Sequence, residues 1–244
     1  MVDPSLRLSL VIPIRDEAEN IAPLLDELAA VLPTLGPCEV LLVDDASRDP
    51  GRARVADWRR SHEAPWLRIL GLREPAGQSA ALAAGVERAR ASLIGAMDGD
   101  LQNDPRDLAP MLAILADPDV DGVTGVRAAR RDGWVRRMSS RIGNAVRDVI
   151  TGDRVADSAC GLKLFRREAW AAVPRFRGMH RFMPTLVRQA GGRVVEVPVH
   201  HRPRRAGRTK YGIRNRALRG LADCLAVRWY RSRSLCYRVE ERSR

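Results

Sequence analysis

The feature of this sequence that most constrains its fold is the alternation of short apolar runs with helical segments. The apolar runs lie at 6–13, 38–45, 66–72 and 92–97. Between them, 18–32 has the apolar spacing of an amphipathic helix, 47–62 reads as a loop and a polar helix, and 77–90 is an alanine-rich helix. Buried strands that alternate with helices in units of about 30 residues are typical of a parallel sheet. We therefore predict an α/β fold with helices on both faces of a mostly parallel sheet.

The pattern is looser beyond residue 105. It predicts helices at 105–116 and 136–150, strands at 122–126 and 193–199, a basic loop at 200–212 and a last amphipathic helix at 213–230. The helix at 136–150 has a basic side, which would suit either solvent or a phosphate group. Its arginines are Arg136, Arg137, Arg141 and Arg147. We predict a main domain at 1–212 and a basic amphipathic extension at 213–244, without the roughly 18–20 apolar residues of a spanning helix.

Polar clusters follow three of the predicted strands. They are Arg15-Asp16-Glu17 after the first strand, Asp44-Asp45-Ala46-Ser47 after the second and Asp98-Gly99-Asp100 after the fourth. In open α/β sheets, ligands bind in the crevice beyond the carboxyl ends of the strands. We therefore expect the three clusters to converge on one edge of a cleft.

The stretch MDGDLQNDP, residues 97–105, has two interpretations. Asp98 and Asp100 are two positions apart, so in an extended loop both carboxylates reach one hard cation, and Gln102 could add a carbonyl oxygen. The stretch could instead be a polar turn that starts the next helix, which Asp104-Pro105 would serve well. Helix capping does not explain a glycine between two aspartates, so the metal interpretation is favoured.

The charge of the chain points to a phosphate-bearing partner. The formal net charge is +12, and Lys163 and Lys210 are the only lysines among 42 basic residues. Arginine binds phosphate through two parallel hydrogen bonds and keeps its charge when half-buried. Nucleic acid, anionic lipid and a phosphorylated metabolite all fit this surface. A nucleic-acid-binding protein is disfavoured, because only 5% of the residues are aromatic and no nucleic-acid-binding module is recognisable.

Six segments, in chain order, resemble the signatures of family 2 glycosyltransferases with the GT-A fold. They are VIPIRDEAENI (11–21), LLVDDASRD (41–49), GQSAALAAG (77–85), MDGDLQNDP (97–105), DSACGLKLF (157–165) and RRAGRTKYG (204–212). The likeness is greatest to the branch of dolichol-phosphate mannosyltransferases and polyprenyl-phosphate sugar transferases. It implies a Rossmann-like GT-A domain, with a mostly parallel sheet between two layers of helices. The residue pattern of this chain adds basic amphipathic helices at the C-terminal end.

The same resemblance implies a set of site residues. The nucleotide would be held by Pro13, Glu17 and Asp45. The divalent metal, Mg²⁺ or Mn²⁺, would be held by Asp98, Asp100 and Gln102. The catalytic group would be Asp98, Asp100 and Arg127, the last facing the lipid phosphate. The diphosphate and lipid phosphate would be bound by Arg127, Arg137, Ser139, Ser140, Arg141, Arg205 and Lys210. One departure is Arg15-Asp16, where the family usually has Tyr-Asn.

The activity implied by the resemblance is metal-dependent, inverting sugar transfer. The donor would be a nucleotide sugar such as GDP-mannose or a UDP-sugar, and the acceptor a dolichyl or undecaprenyl phosphate. That acceptor needs no general base, because a phosphate monoester is already largely anionic near neutral pH. An alternative is transfer to a saccharide in cell-envelope polysaccharide synthesis. That reaction would need a base, and Asp157 is the first candidate, although a simple turn into a strand is the favoured interpretation of 157–161.

The sequence also predicts where the protein acts. Cys38, Cys160, Cys224 and Cys236 form no CxxC pair, which favours a reducing cytosol over a disulfide framework or a zinc site. The first apolar run is followed by charged residues and not by a cleavage site for a signal peptide. The basic amphipathic segments favour peripheral binding to the cytoplasmic face of a membrane. We expect recruitment by anionic lipid or by a separate small membrane protein.

Overall fold

The structure, a computed structural model, describes residues 2–127, 134–203 and 213–234; the side chains of 134–142 and 213–219 are outside that description. The strands are β1 Leu8–Ile14, β2 Cys38–Asp44, β3 Leu67–Gly71, β4 Leu93–Ala96, β5 Gly122–Arg127, β6 Lys163–Arg166 and β7 Val194–Val199. The helices are α1 Ala18–Val31, α2 Gly51–Ser61, α3 Gln78–Arg88, α4 Leu108–Ile114, α5 Trp134–Thr151, α6 Arg167–Ala171, α7 Met183–Gln189 and α8 Ile213–Arg233. The first four predicted strands are observed within two residues of their predicted ends.

The described strands form one sheet in the order β3-β2-β1-β4-β6-β5-β7. β1 lies parallel to both of its neighbours, with Ile14 opposite Asp44 of β2 and Val11 opposite Ala96 of β4. β6 is antiparallel to β4 and to β5. The prediction of a mostly parallel sheet is therefore confirmed, and the carboxyl ends of β1, β2 and β4 lie at the same edge.

Three short elements between residues 163 and 189 are not predicted by the sequence pattern. β6 has four residues, α6 five and α7 seven. Elements of this length are too short for a hydrophobic period to identify them. β6 depends instead on its partners in the sheet, where Leu164 lies opposite Gly95 of β4 and Val123 of β5.

Apolar side chains are buried on both faces of the sheet. On one face, Leu10 and Ile12 of β1 belong to a cluster that includes residues of α1 and α4. On the other, Val11 belongs to a cluster with residues of α3, α6 and α7, which also contains Cys224 and Val227 of α8. Alternate residues of a strand point to opposite faces, so β1 supplies both clusters. The site edge therefore rests on a sheet that is packed from both sides.

The prediction for Arg147 is wrong, since this residue is neither on a solvated face nor directed at a phosphate group. It is 6% exposed, and its guanidinium donates hydrogen bonds to Ser158 Oγ at 2.6 Å and to the Val155 carbonyl oxygen. These bonds fasten α5 to the loop before β6, which is why the arginine is buried.

Several apolar side chains of α5 and α8 point outward. Val149 is 77% exposed and Trp229 is 64% exposed. In α8, it is Cys224 and Val227 that face the protein interior. None of the described helices combines the length and apolar character that crossing a bilayer requires.

Candidate active site

The polar segments that follow β1, β2 and β4 meet at one edge of the sheet, as predicted. Arg15 Nη1 lies 3.5 Å from Asp45 Oδ2. The carboxylate of Asp16 accepts a hydrogen bond from the backbone N–H of Arg48 at 2.8 Å. Gly99, after β4, lies against β1. A Cβ atom placed on Gly99 would be only 2.8 Å from Cγ2 of Ile14. The three strand ends are thus neighbours at one edge of the sheet.

Each of these segments contains a residue other than glycine in the left-handed backbone region. The φ angles are 50° at Asp16, 51° at Ala46 and 62° at Leu101, and no other non-glycine residue in the described ranges has positive φ. This conformation costs about 1 kcal/mol or more at an L-residue, and such strain is concentrated at functional sites. The left-handed backbone conformations therefore occur at the same edge of the sheet as the polar side chains.

The residues predicted to bind the nucleotide lie at this edge. Asp45 is 3% exposed, and its Oδ1 accepts N–H groups of Ala76 at 2.6 Å and Gly77 at 3.0 Å. It therefore joins the end of β2 to the N-terminal end of α3. Glu17 precedes α1 and accepts a hydrogen bond from the side chain of Asn20. Pro13 lines the cavity described below.

Asp98 and Asp100 are the two carboxylates at the end of β4. Asp98 Oδ1 accepts a hydrogen bond from Gln78 Nε2 at 2.8 Å. Asp100 is 7% exposed, and its Oδ1 accepts the backbone N–H of Gln102 at 3.2 Å. Burial, followed by the negative charge of Asp100, raises the pKa of Asp98, although Lys163 and Arg127 act in the opposite direction. A cation between the two carboxylates would relieve this repulsion.

The donor set at this edge fits a divalent cation that shares its coordination with a substrate. Among the described residues, no group of three or more His, Cys, Asp or Glu side chains could hold a metal ion by itself. Mg²⁺ is commonly bound by one or two carboxylates together with substrate phosphates. The side-chain amide of Gln102 donates to the Arg202 carbonyl oxygen at 3.3 Å, so its contact in this structure is with the polypeptide.

The loop before β6 approaches Asp98 closely at Gly161. A Cβ atom placed on Gly161 would be 2.2 Å from Oδ2 of Asp98, far inside van der Waals contact. A larger residue at position 161 would therefore require the loop or the Asp98 carboxylate to move. The contact joins two segments that are more than 60 residues apart in the chain.

Arg127 at the end of β5 is held by Asp157. Its Nε atom lies 2.6 Å from Oδ2 and its Nη2 atom 2.7 Å from Oδ1 of that carboxylate. Although burial opposes the charge, the hydrogen bonds and the negative charge of Asp157 raise the pKa of Arg127. Both oxygens of Asp157 accept hydrogen bonds from the guanidinium, so this carboxylate orients Arg127.

A cavity of about 340 Å³ lies beside Asp98. Its lining comes from the first turn of α3, the end of β4, the loop before β6 and the segment that leads into α7. Four polar side chains of this lining were not singled out from the sequence: Gln78, Lys163, His180 and Arg181. Gln78 lies within the motif GQSAALAAG and Lys163 within DSACGLKLF, so both had a sequence signal. His180 and Arg181 join them only through the tertiary fold.

Six of the predicted site residues cannot be located by side chain. Arg137, Ser139, Ser140 and Arg141 belong to the first half of α5, where only the backbone is described. Arg205 and Lys210 lie outside the described residues. The structure brings together the other seven: Pro13, Glu17, Asp45, Asp98, Asp100 and Gln102 along the strand-end edge, with Arg127, whose charge acts on Asp98, at the end of β5.

The mostly parallel sheet, its strand-end carboxylates and the adjoining cavity define an α/β domain of the GT-A type. Residues 9–173 match the family described as Glycosyl transferase family 2. The chain belongs to this family and is a glycosyltransferase.

Two curated relatives are similar over most of the chain. One is "Dodecaprenyl-phosphate galacturonate synthase" of Rhizobium johnstonii, 38% identical over 232 residues, which are 93% of this chain and 68% of the relative. The other is "Undecaprenyl-phosphate 4-deoxy-4-formamido-L-arabinose transferase" of an Enterobacter species, 34% identical over 210 residues, which are 85% and 63% of the respective lengths. The chain thus spans about two thirds of the length of each relative.

Solved structures confirm the fold. A mannosyltransferase from Pyrobaculum calidifontis in complex with GDP-Man and Mn²⁺ has a TM-score of 0.65 at 22% identity, with 96% of this chain and 72% of that chain covered. Glucosyl-3-phosphoglycerate synthase from Mycobacterium tuberculosis, in complex with Mn²⁺, uridine diphosphate and phosphoglyceric acid, has a TM-score of 0.68 at 18% identity, with 91% and 78% covered.

Proposed function

We propose that this glycosyltransferase moves a sugar from a nucleotide sugar to a polyprenyl phosphate. The observation that carries the proposal is the arrangement of Asp98 and Asp100 beside a cavity, with Arg127 fixed by Asp157 close enough for its charge to act on Asp98. A diphosphate and an acceptor phosphate are two anions that such a site would bring together. The printed names of both curated relatives specify a polyprenyl phosphate, which supports the acceptor class.

The donor would bind across the strand-end edge. Pro13, Glu17 and Asp45 would contact the nucleoside, and Asp98 and Asp100, with Gln102, would hold Mg²⁺ or Mn²⁺ against the diphosphate. The bound cation would supply charge that stabilises the leaving diphosphate. Two solved structures of the same fold contain Mn²⁺, which supports a divalent cation without selecting between the two metals.

Arg127 would orient the acceptor phosphate. Its side chain is 15% exposed and is fixed by Asp157, so little side-chain freedom would be lost on binding. A phosphate monoester is already anionic near neutral pH, and Asp157, engaged by Arg127, would not be required as a base. A single displacement by the phosphate oxygen would invert the anomeric centre.

The outward sides of α5 and α8 would lie on an anionic membrane, where the acceptor resides. Leu225 and Trp229 are 54% and 64% exposed, and the same helix carries Arg228, Arg231 and Arg233. Amphipathic helices with apolar and basic residues bind the headgroup region. The protein should sediment with phosphatidylglycerol vesicles, and changing Leu225 and Trp229 to Ser should weaken this binding. Equal sedimentation of parent and variant would contradict this orientation.

The transfer reaction itself provides the test of function. The purified chain would be incubated with UDP- and GDP-sugars, Mg²⁺ or Mn²⁺, and either undecaprenyl phosphate or saccharide acceptors. We expect a sugar-phosphate lipid as product, and no product after chelation of the metal. Transfer to a saccharide without transfer to the lipid phosphate would overturn the proposed acceptor and favour the saccharide activity.

A further inference from the structure

The cavity beside Asp98 has the position and chemistry of a sugar site. If Asp98 faces the diphosphate through a cation, the next group of a nucleotide sugar is the sugar that is transferred. The apolar lining residues include Leu82, Trp170 and Met183, and the polar ones include His180. A pyranose ring has the same division, with apolar C–H faces and a rim of hydroxyl groups. Binding pockets of this kind use a few polar groups to fix the orientation of the ligand.

His180 enters the cavity on a short turn, Met179–Arg181, that is held from two sides. The backbone N–H of Gly178 donates to Ser79 Oγ at 3.0 Å, and the same oxygen lies 2.7 Å from His180 Nδ1. Ser79 belongs to the first turn of α3 and is 7% exposed. On the other side, Gly178 has φ 98°, and a Cβ atom there would be 2.5 Å from the carboxylate of Asp223 in α8. The imidazole is therefore fixed before a ligand binds.

The hydrogen bonds and burial define the state of this imidazole. Among the described residues, His180 Nδ1 is the one acceptor found for the Ser79 hydroxyl, whose oxygen also accepts from Gly178. We therefore assign the serine proton to that bond and the imidazole proton to Nε2. Burial, followed by the positive charges of Arg181 and Lys163, lowers the pKa of His180 to about 3. The ring is neutral near pH 7. A neutral ring with one N–H suits a hydroxyl group better than it suits a carboxylate or a phosphate.

The neighbouring cations are engaged by the protein. Lys163 donates to the Cys160 carbonyl oxygen, and Arg181 lies 4.0 Å from the carboxylate of Asp223. Within the described part of the chain, His180 Nε2 has no hydrogen bond of its own. Of the polar groups that line the cavity, it is the best placed to form a hydrogen bond with a hydroxyl group.

We propose that His180, oriented by Ser79, binds a hydroxyl group of the transferred sugar through Nε2 and thereby distinguishes one sugar from another. The inference rests on the proposed function, because it requires a nucleotide sugar in the cavity. It does not depend on the acceptor. A sugar without a hydroxyl at this point leaves the buried N–H without a partner, which lowers affinity by about tenfold.

Donor binding without any acceptor tests the proposal. Calorimetry in Mn²⁺ would compare a panel of UDP- and GDP-hexoses with UDP and GDP alone, for the parent, His180→Asn and His180→Gln. Asparagine keeps an amide near the position of Nδ1, where Ser79 can hold it, but places nothing at Nε2; glutamine reaches the Nε2 position. His62→Asn is the matched control, since His62 stacks on Trp58 at the end of α2, away from the cavity.

We expect the parent to bind one intact donor more tightly than its nucleoside diphosphate. His180→Asn should reduce the ratio of donor affinity to nucleoside diphosphate affinity about tenfold, while the affinity for the diphosphate itself stays unchanged. His180→Gln should recover part of the ratio. Ser79→Ala should reduce the ratio less, and Ser79→Thr, which keeps the hydroxyl, should restore it. A donor that lacks the bonded hydroxyl should bind the parent more weakly than the preferred donor does. The substitution His180→Asn should cause no further loss of affinity for that donor.

An unchanged ratio in His180→Asn overturns the proposal. So does a parent that binds no donor more tightly than its diphosphate, because the cavity then makes no useful contact with the sugar. Absence of transfer to undecaprenyl phosphate, with the expected donor ratios, overturns the proposed acceptor and leaves the role of His180 standing.

Discussion

Arg127 and Asp157 form a two-point ion pair at the end of β5, with N–O distances of 2.6 Å and 2.7 Å. The pair fixes the guanidinium plane at the edge of the site. It also engages the carboxylate of Asp157, which was the first candidate for a general base, in hydrogen bonds to Arg127. The distinction between a positioning residue and a base leads to a kinetic prediction.

Asp157→Asn should raise the KM for undecaprenyl phosphate about tenfold, because the asparagine holds Arg127 through one contact in place of two. The donor KM should stay unchanged. Steady-state kinetics at several pH values would measure both constants. A general base is worth roughly 100-fold or more in rate, so a collapse of kcat with loss of the pH dependence would contradict the positioning role.

Asp100→Ala should abolish transfer and the Mn²⁺-dependent part of nucleoside diphosphate binding. The alanine removes one of the two carboxylates that would face the cation and leaves the other without its partner. Calorimetry with UDP or GDP, with and without Mn²⁺, would measure the effect. Asp119→Ala, at an exposed site beyond α4, is the matched control and should bind as the parent does. Identical metal dependence in the two variants would remove Asp100 from the site.

Gly161→Ala should inactivate the protein while leaving it folded. The added Cβ would lie 2.2 Å from Asp98 Oδ2, so the loop or the carboxylate must move. The control is Gly220→Ala in α8, where a Cβ meets no atom of the described residues within 4 Å. That substitution should stabilise the protein by about 0.5–1 kcal/mol, because alanine loses less backbone entropy in a helix. Thermal unfolding and donor binding would be measured on both, and normal donor binding in Gly161→Ala would refute the close contact.

Arg147→Met should lower the free energy of unfolding by about 2–3 kcal/mol. The methionine fills part of the space but leaves the Val155 carbonyl oxygen and Ser158 Oγ without their donor. Urea unfolding would measure the loss. Arg228→Met, at an exposed residue of α8, should change stability by no more than about 0.5 kcal/mol. Equal values for the two variants would mean that the buried arginine does not fasten α5 to the loop.

Stability should fall with acidification through His180. The pKa of this imidazole is about 3 in the folded protein against an ordinary value of 6.5, so below 6.5 the unfolded chain takes up a proton that the folded protein excludes. The contribution of the neutral His180 ring to the free energy of unfolding is complete above pH 6.5. It is lost toward pH 3, at about 1.4 kcal/mol per pH unit. Urea unfolding at pH 7, 6 and 5 would show a steeper decline for the parent than for His180→Asn. Parallel curves would contradict the burial of the neutral ring.

The sequence by itself determined the layered architecture and one side of the site. The apolar runs at β1, β2 and β4 are long enough to identify as strands, and parallel strands must end at a common edge. Asp45, Asp98 and Asp100 are therefore predictable as neighbours. Arg127 could be assigned through the resemblance, because its motif keeps its order in the chain.

The tertiary structure decided the remainder, since the contacts involved join residues far apart in the chain. Ser79 meets His180 across 101 positions, and Arg147 is buried by hydrogen bonds to a loop and not by its own helical pattern. The left-handed residues Ala46 and Leu101 carry no sequence signal, because only tertiary packing offsets their strain. Periodicity reports which side of an element is apolar. Periodicity does not show which polar groups from distant parts of the chain will lie beside that element. In this protein such groups line the cavity.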